Sequence, residues 1–214
     1  MTKNDNRNYS FGSNSNTIRG EYELISKFIK RNCKVIDLGC GDGSLFLLLK
    51  DKKNIKEEGI EITTSGVQSA NKKKLNVTQG RIDQKLNFKD KEFDFAICNV
   101  TLQMVMYPEI LLKEMNRISK KQIVTFPNFA YLFNRLELLL KGIMPKTMIP
   151  GYTWFSTGHI HQLSIKDFQD FCFENKISII GNSHVYPERI YGFKLPFMKN
   201  FPNLFTSTAI FITE

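Results

Sequence analysis

The sequence predicts an α/β domain in which helices cover both faces of a mostly parallel β-sheet. Two observations carry that prediction. Short β-branched and aromatic runs alternate with stretches whose apolar residues recur every three or four positions, the pattern of strand–crossover–strand units. The first apolar run also ends in a glycine-rich turn, Gly39-Cys40-Gly41-Asp42-Gly43, that opens directly into a helical stretch. With 214 residues, 42% hydrophobic and 24% charged, the chain has the size and composition of one globular domain.

Residues 1–16 are polar with little to bury and are expected to form a mobile arm, leaving 17–214 as the folded domain. Over 17–31, Ile18, Tyr22, Ile25, Phe28 and Ile29 share one helical face. Val35, Ile36 and Leu38 mark a strand at 34–38, and a helix begins at 45. A strand at 59–62, a helix at 64–74 and a strand at 76–79 follow. Phe93, Phe95 and Ile97 place a strand at 92–99, before a helix at 109–119 and a strand at 122–126. Residues 128–163 are the irregular part: an apolar helix at 131–141 and a loop rich in Pro, Gly and aromatics, read as an insertion over the active face. Ser164 and Asp167 have the spacing of a capping box for a helix carrying Ile165, Phe168 and Phe171 on one face. Strands at 177–180 and 208–212 close the domain.

Charge and cysteines restrict the function classes. The net charge of +9 and pI near 9.3 invite a nucleic-acid reading. Of the 30 basic residues only seven are Arg, the residue that grips phosphate with a planar fork, so no specific nucleic-acid partner is expected. No apolar stretch approaches the ~18–20 residues that span a bilayer, and the Asn/Ser-rich N-terminus lacks the apolar core of a secretory signal. Cys33, Cys40, Cys98 and Cys172 contain no C-x-x-C pair. That removes the common zinc spacings and fits reduced thiols in a cytoplasmic protein. His159 and His161 form a pair without an evident third ligand, and no metal is expected.

In open α/β sheets, ligands bind beyond the carboxyl ends of the strands. The turn there reads Asp37-x-Gly39-x-Gly41-x-Gly43. A dinucleotide fingerprint would place its third glycine at 44, where Ser44 stands. Glycines let a ligand press against the backbone, while Asp37 and Asp42 would repel a pyrophosphate. Acids there suit a ligand bearing an ammonium and a sulfonium, as S-adenosylmethionine does. Glu61 ends the second strand and has the position of a carboxylate that accepts hydrogen bonds from a ribose diol.

The combination of Val35-Ile36-Asp37-Leu38-Gly39-Cys40-Gly41-Asp42-Gly43 with Gly59-Ile60-Glu61-Ile62 resembles the class I S-adenosylmethionine-dependent methyltransferases. Within them the chain is similar to the methionine biosynthesis proteins of the MetW family. The shared stretches include Arg19-x-Glu21-Tyr22, Thr101-Leu102-Gln103, Phe126-Pro127-Asn128-Phe129, Arg135-Leu136, Leu138-Leu139-Leu140, Gly142, Met144-Pro145, Tyr152, Trp154, Ile160-His161 and Asp167-Phe168. The resemblance implies a Rossmann-like sandwich with a seven-stranded, mostly parallel sheet, an antiparallel last strand and a helical insertion before the last helix. It also implies S-adenosyl-L-methionine as cofactor, or S-adenosyl-L-homocysteine as bound product.

By the same resemblance the cofactor pocket would draw on Asp37, Gly39, Cys40, Gly41, Glu61, Ile62, Ile82, Asp83, Asn99 and Leu102. Where such enzymes carry an acid for the adenine amino group, this chain has Arg81, which cannot accept a hydrogen bond; Asp83 is the candidate substitute. Thr63 also stands where the family usually has an acid. Gln103, Asn128, Tyr152, Trp154 and His161 are candidate substrate residues. His161 is the candidate general base, with a loop histidine bonded to backbone as the competing reading. Three roles stay open: a methyltransferase acting on a small molecule; a cofactor-binding partner or regulator of homoserine O-acyltransferase (MetX); and an RNA methyltransferase. The regulator reading needs an exposed apolar patch, for which Phe193, Phe197, Phe201 and Phe205 are candidates.

Overall fold

A computed structural model of the chain describes residues 20–145, 158–187 and 196–214. The expected arm at 1–16, the helix start at 17–19, and Tyr152, Trp154 and Phe193 lie outside the described residues.

Strand and helix alternate as the periodicity predicts: α1 Gly20–Phe28, β1 Lys34–Leu38, α2 Ser44–Lys53, β2 Lys56–Glu61, α3 Thr64–Lys72, β3 Val77–Gln79, β4 Phe93–Asn99, α4 Pro108–Ile118, β5 Ser119–Pro127, α5 Leu132–Lys141, α6 Ile165–Glu174, β6 Ile179–Asn182, α7 Pro202–Phe205 and β7 Thr208–Thr213. Short 3-10 turns occupy Leu102–Met104 and Pro196–Asn200. The seven strands lie in the order β3-β2-β1-β4-β5-β7-β6. β1 pairs in parallel with β2 and β4, β2 with β3, and β4 with β5, while β7 runs antiparallel to both β5 and β6. The order therefore reverses at β1 and β4, and their carboxyl ends frame the crevice expected to hold a ligand.

Two apolar cores lie on opposite faces of the sheet. One joins Ile36, Leu38 and Val124 to Leu111 and Met115 of α4 and Ile165 and Phe168 of α6. The other joins Val35, Ile97 and Ile123 to Ile25 of α1 and Phe46 and Leu49 of α2. Val35 and Ile36 thus feed different cores, as successive strand residues must. In the first core Phe168 lies 5.3 Å from Phe126 and 4.8 Å from Phe211 between ring centroids. α5 joins neither core. Its Leu132 and Phe133 pack instead on a small cluster around Met198 and Phe205.

The differences from the sequence reading have local causes. α1 stops at Phe28 rather than at 31, and Asn32 (φ 59°) turns the chain away. β2 begins at Lys56, three residues before the apolar signal. Its charged start stays partly exposed, and Glu57 bonds Lys50. β6 is shifted to Ile179–Asn182 because Lys176 (φ 56°) ends the helix exit and the Ile177 N–H is taken up by Cys172 O. α7 lacked a sequence signal, being only four residues long. The capping box at α6 forms: Ser164 Oγ accepts from Asp167 N (3.1 Å) and Asp167 Oδ2 from Ser164 N (3.0 Å). Among the described residues no helix is long and apolar enough to cross a membrane.

Candidate functional site

The first cleft is assembled at the carboxyl ends of β1, β2, β3 and β4, with an opening of about 230 Å³. Gly39 forms part of its floor, at φ +87°, a left-handed conformation that side chains rarely tolerate. A Cβ there would also sit 2.5 Å from Thr101 Cγ2, so the approach of the β4 exit to this turn depends on its absence. The turn is tied to β2 through Gly39 N–H donating to Ile60 O at 2.8 Å.

Glu61 stands at the β2 end, only 4% exposed yet lining the cleft. Its Oε2 accepts from Gly41 N (2.8 Å), and its Oε1 accepts from Thr63 N (2.9 Å) and Thr63 Oγ1 (2.8 Å). Thr63 also caps α3 by accepting from Gly66 N at 3.2 Å. One hydroxyl therefore fixes both the carboxylate and the helix start. A carboxylate has about four acceptor positions, so Glu61 keeps capacity for a ligand's donors.

Asp37 lies behind the turn, 2% exposed, and its Oδ1 has no hydrogen-bond partner. Burial pushes its pKa up to about 8, and the nearby Glu61 charge adds to the effect. Asp42 goes the other way. Burial opposes its charge, but Lys73 (2.6 Å) and Ser44 (2.7 Å) bind the carboxylate and hold its pKa below the ordinary value. The two acids are thus separated: Asp42 is held as a carboxylate by Lys73 and Ser44 just before α2, and Asp37, inside β1, is left uncompensated.

The third side of the cleft is the stretch from Gly80 to Asp83. Asp83 is buried and bracketed: it takes Arg81 Nε (3.1 Å) and a second guanidinium nitrogen (2.8 Å), and its Oδ2 also accepts from Met106 N (3.1 Å). It therefore ties the β3 exit to the segment after β4. At the β4 exit Val100 adopts φ 54°, a strained conformation for a β-branched residue. It is held there by its N–H donating to both Thr125 O (3.1 Å) and Thr125 Oγ1 (3.0 Å). Strain of this kind persists only where surrounding structure enforces it, and it concentrates at functional sites.

Gly39, Glu61, Ile62, Ile82 and Asp83 line this first cleft together with Arg81, Thr101 and Met104. Other expected residues sit elsewhere. Cys40 is buried beside Gly59, where burial and the Asp37 and Glu61 charges push its thiol up. Asn99 Oδ1 accepts from Thr125 Oγ1 at 2.6 Å and so braces the β4 exit. Leu102, Gln103 and His161 line a second cavity on the far side of the 3-10 turn, between α4 and α6. Asn128 lines neither cavity. Its side chain donates to Asn203 O and Thr206 O and accepts from Ala130 N and Ile165 N, which makes it a junction between chain segments. All four cysteines are free and buried, and burial raises each thiol, so none offers an accessible thiolate nucleophile. Among the described residues no three His, Cys, Asp or Glu side chains gather as a metal site.

Phe197 and Phe201 are exposed while Phe205 is buried. Another apolar surface is formed by α5 and the residues just after it, where Leu139 and Leu140 are 78% and 75% exposed and Leu138, Ile143 and Met144 are also exposed. The sequence signal for it was the Leu138–Leu140 run, whose excess over one helical face leaves apolar residues facing outward.

The family model described as methionine biosynthesis protein MetW matches residues 19–213. The bifunctional methionine biosynthesis protein MetXA/MetW of Rhodopirellula baltica is 29% identical over 210 residues, covering 91% of this chain and 32% of the relative. The chain thus spans about a third of that relative's length. Among solved structures, the complex of the Haloferax volcanii Trm112 methyltransferase activator with the putative methyltransferase gives a TM-score of 0.65 at 17% identity, over 89% of this chain and 87% of the other. An S-adenosylmethionine-dependent methyltransferase of Thermotoga maritima, a possible histamine N-methyltransferase, gives 0.63 at 19% identity, over 90% and 86%. With the family pattern running through nearly the whole domain and the sheet order of a Rossmann-like class I methyltransferase, this chain belongs to the MetW family.

Proposed function

We propose that the first cleft binds S-adenosylmethionine and that the protein transfers its methyl group to a small molecule in methionine biosynthesis. The observation that carries this reading is the pairing of two buried carboxylates, Asp37 and Glu61, with a turn whose Gly39, Gly41 and Gly43 carry no Cβ. A buried acid with an unpartnered oxygen is costly alone and is relieved by a cation. Glu61, locked by Gly41 and Thr63, retains acceptor capacity that supports a bond from a vicinal diol. The cofactor, when bound, supplies a methyl group on an excellent leaving group.

The chain's own residues then hold and orient. Glu61 would anchor the ribose, Gly39 would let the ligand lie against the β1 exit, and Asp37, behind the turn, would act on the positive end through its charge. Asp83, taken up by Arg81 and Met106 N, fixes the wall of the adenine side. Alignment of acceptor and methyl by such a frame can supply ~7–11 kcal/mol of barrier reduction. Calorimetry with S-adenosylhomocysteine tests the cleft. Glu61→Gln removes the charge while keeping an acceptor, and affinity should fall by about tenfold or more, the ~1.5–3 kcal/mol of a charge-assisted hydrogen bond. Unchanged affinity rejects the assignment.

A second reading, a cofactor-binding partner of homoserine O-acyltransferase, is favoured by the exposed leucines of α5 and by the MetXA portion of the Rhodopirellula baltica relative. It predicts that the acyltransferase co-purifies and changes rate while methyl consumption stays at background. Leu139→Glu should break that association. The RNA reading gains no support. Among the described residues Arg31, Arg81, Arg117 and Arg135 are all engaged by the protein's own oxygens.

A further inference from the structure

We infer that Thr125 is a positioning residue for the first cleft, one that acts through the bend at the end of β4 and does not itself line the opening. Thr125 lies in β5, fully buried, between Val124 and Phe126, which are buried as well. A hydroxyl in such surroundings is costly unless it is bonded. Here both of its capacities are used. Thr125 Oγ1 donates to Asn99 Oδ1 at 2.6 Å and accepts from Val100 N at 3.0 Å. With its hydrogen directed to Asn99, the hydroxyl keeps a lone pair for the Val100 N–H. Thr125 O accepts from the same N–H at 3.1 Å, so one residue of β5 holds Val100 through two acceptors.

What is held there is a conformation that a valine avoids. Val100 has φ 54°, and branching at Cβ makes the left-handed region unfavourable. The other described non-glycine residues with positive φ are asparagines and lysines, and none is β-branched. The bend decides where the following residues go. Thr101 comes directly after it; its Oγ1 donates to Asn99 O at 3.0 Å and stands 3.4 Å from Gly39 O. Its carbonyl accepts from Met104 N at 2.8 Å and so anchors the 3-10 turn at Leu102–Met104. Gly39, Thr101 and Met104 all line the first cleft. If Val100 relaxed to negative φ, the chain beyond it would swing away from the β1 exit, and the cleft would lose the wall that Thr101 and Met104 provide. Thr125→Val keeps the shape of the side chain and the carbonyl bond and removes only the hydroxyl, so it loosens the bend without dismantling the sheet.

The affinity arm of the test rests on the reading of the first cleft as the cofactor site. Calorimetric titration of the full chain with S-adenosylhomocysteine, at a temperature where circular dichroism shows each variant folded, should find binding weakened about fivefold in Thr125→Val, the scale of one net hydrogen bond. Thr125→Ser, which restores the hydroxyl, should bind as the wild type does. Val100→Gly added to Thr125→Val removes the strain, since glycine takes positive φ freely, and should recover most of the lost affinity. In the ligand-free protein the amide resonances of Gly39, Thr101 and Met104 should shift in Thr125→Val and return in Thr125→Ser. Should Thr125→Val not fold, Thr125→Cys, whose thiol accepts only weakly, takes its place in both measurements. Wild-type affinity in a folded but less stable Thr125→Val would make the hydroxyl merely structural and overturn the role. So would a Thr125→Ser as weak as Thr125→Val, a double variant without recovery, or unmoved amide resonances. If the wild type itself does not bind S-adenosylhomocysteine, the cofactor reading fails, while the amide resonances still decide whether Thr125 sets the cleft wall.

Discussion

Cofactor binding should expel a proton from Asp37. In the free protein this carboxyl is 2% exposed, carries an oxygen without a partner, and has its pKa raised to about 8, first by burial and then by Glu61. With that value roughly nine-tenths of the molecules hold the proton at pH 7, one pH unit being a tenfold ratio. A ligand bearing a sulfonium and an ammonium favours the ionised form, so binding at pH 7 releases close to one proton, about 0.9 if ionisation becomes complete. Isothermal titration calorimetry of S-adenosylmethionine in two buffers of different ionisation enthalpy reads this number directly. The release should vanish near pH 9, where Asp37 is already ionised, and should be smaller for S-adenosylhomocysteine, which lacks the sulfonium charge. It should be lost in Asp37→Asn. Equal heats in both buffers at pH 7, or an undiminished release from Asp37→Asn, would refute the account. The same group sets a pH dependence of stability. The folded protein keeps the proton to about pH 8, whereas the unfolded chain releases it near the ordinary value of 3.8. Between those values the unfolded state binds fewer protons, so the ligand-free protein loses stability as pH rises, by on the order of 5 kcal/mol across the window. Denaturant titrations of Asp37→Asn should flatten that decline.

Three further substitutions probe the frame. Glu61→Ala strips partners from the Gly41 and Thr63 N–H groups and should lower stability by about 2–4 kcal/mol in denaturant unfolding, with each buried orphan costing ~1–3 kcal/mol; a loss below 1 kcal/mol would mean that water replaces the carboxylate. Gly39→Ala forces a Cβ against Thr101 at φ +87° and should cost about 2 kcal/mol or more. Adding Thr101→Ser, which deletes Cγ2, should recover only the steric part, and full additivity of the two changes would show that the clash is not the cause. Ser164→Ala removes the α6 capping box and should cost ~1 kcal/mol, read as a lowered denaturant midpoint at constant slope.

How much of this was legible in the sequence depended on how local the deciding interactions are. β1 and the Ser164 box are written in a few adjacent residues, and both elements formed as the pattern predicts. β2 was legible only from Gly59 on, because Lys56, Glu57 and Glu58 are placed by pairing with Lys34, Val35 and Ile36 and not by any apolar period of their own. The acids of the glycine turn were visible, but their opposite fates were not. Asp42 is neutralised by Lys73, 31 positions away, and Asp37 is raised by a burial that no local pattern reports.

Asn128 shows the same limit from the other side. Next to a conspicuous Pro127 at the end of β5 it had the look of a site residue, yet its four bonds join positions up to 78 residues apart, and that is why an amide with two donors and an acceptor is required there. Gln103 and His161 differ from it in one respect: the His161 N–H donates to Gln103 O from far along the chain, but the side-chain atoms Gln103 Oε1 and His161 Nε2 find no partner within the protein. Residue type alone could not separate these three. What separates them is whether the fold completes the hydrogen bonds of a buried polar group, and that is decided by residues far apart in the chain which no local pattern of residue types reports.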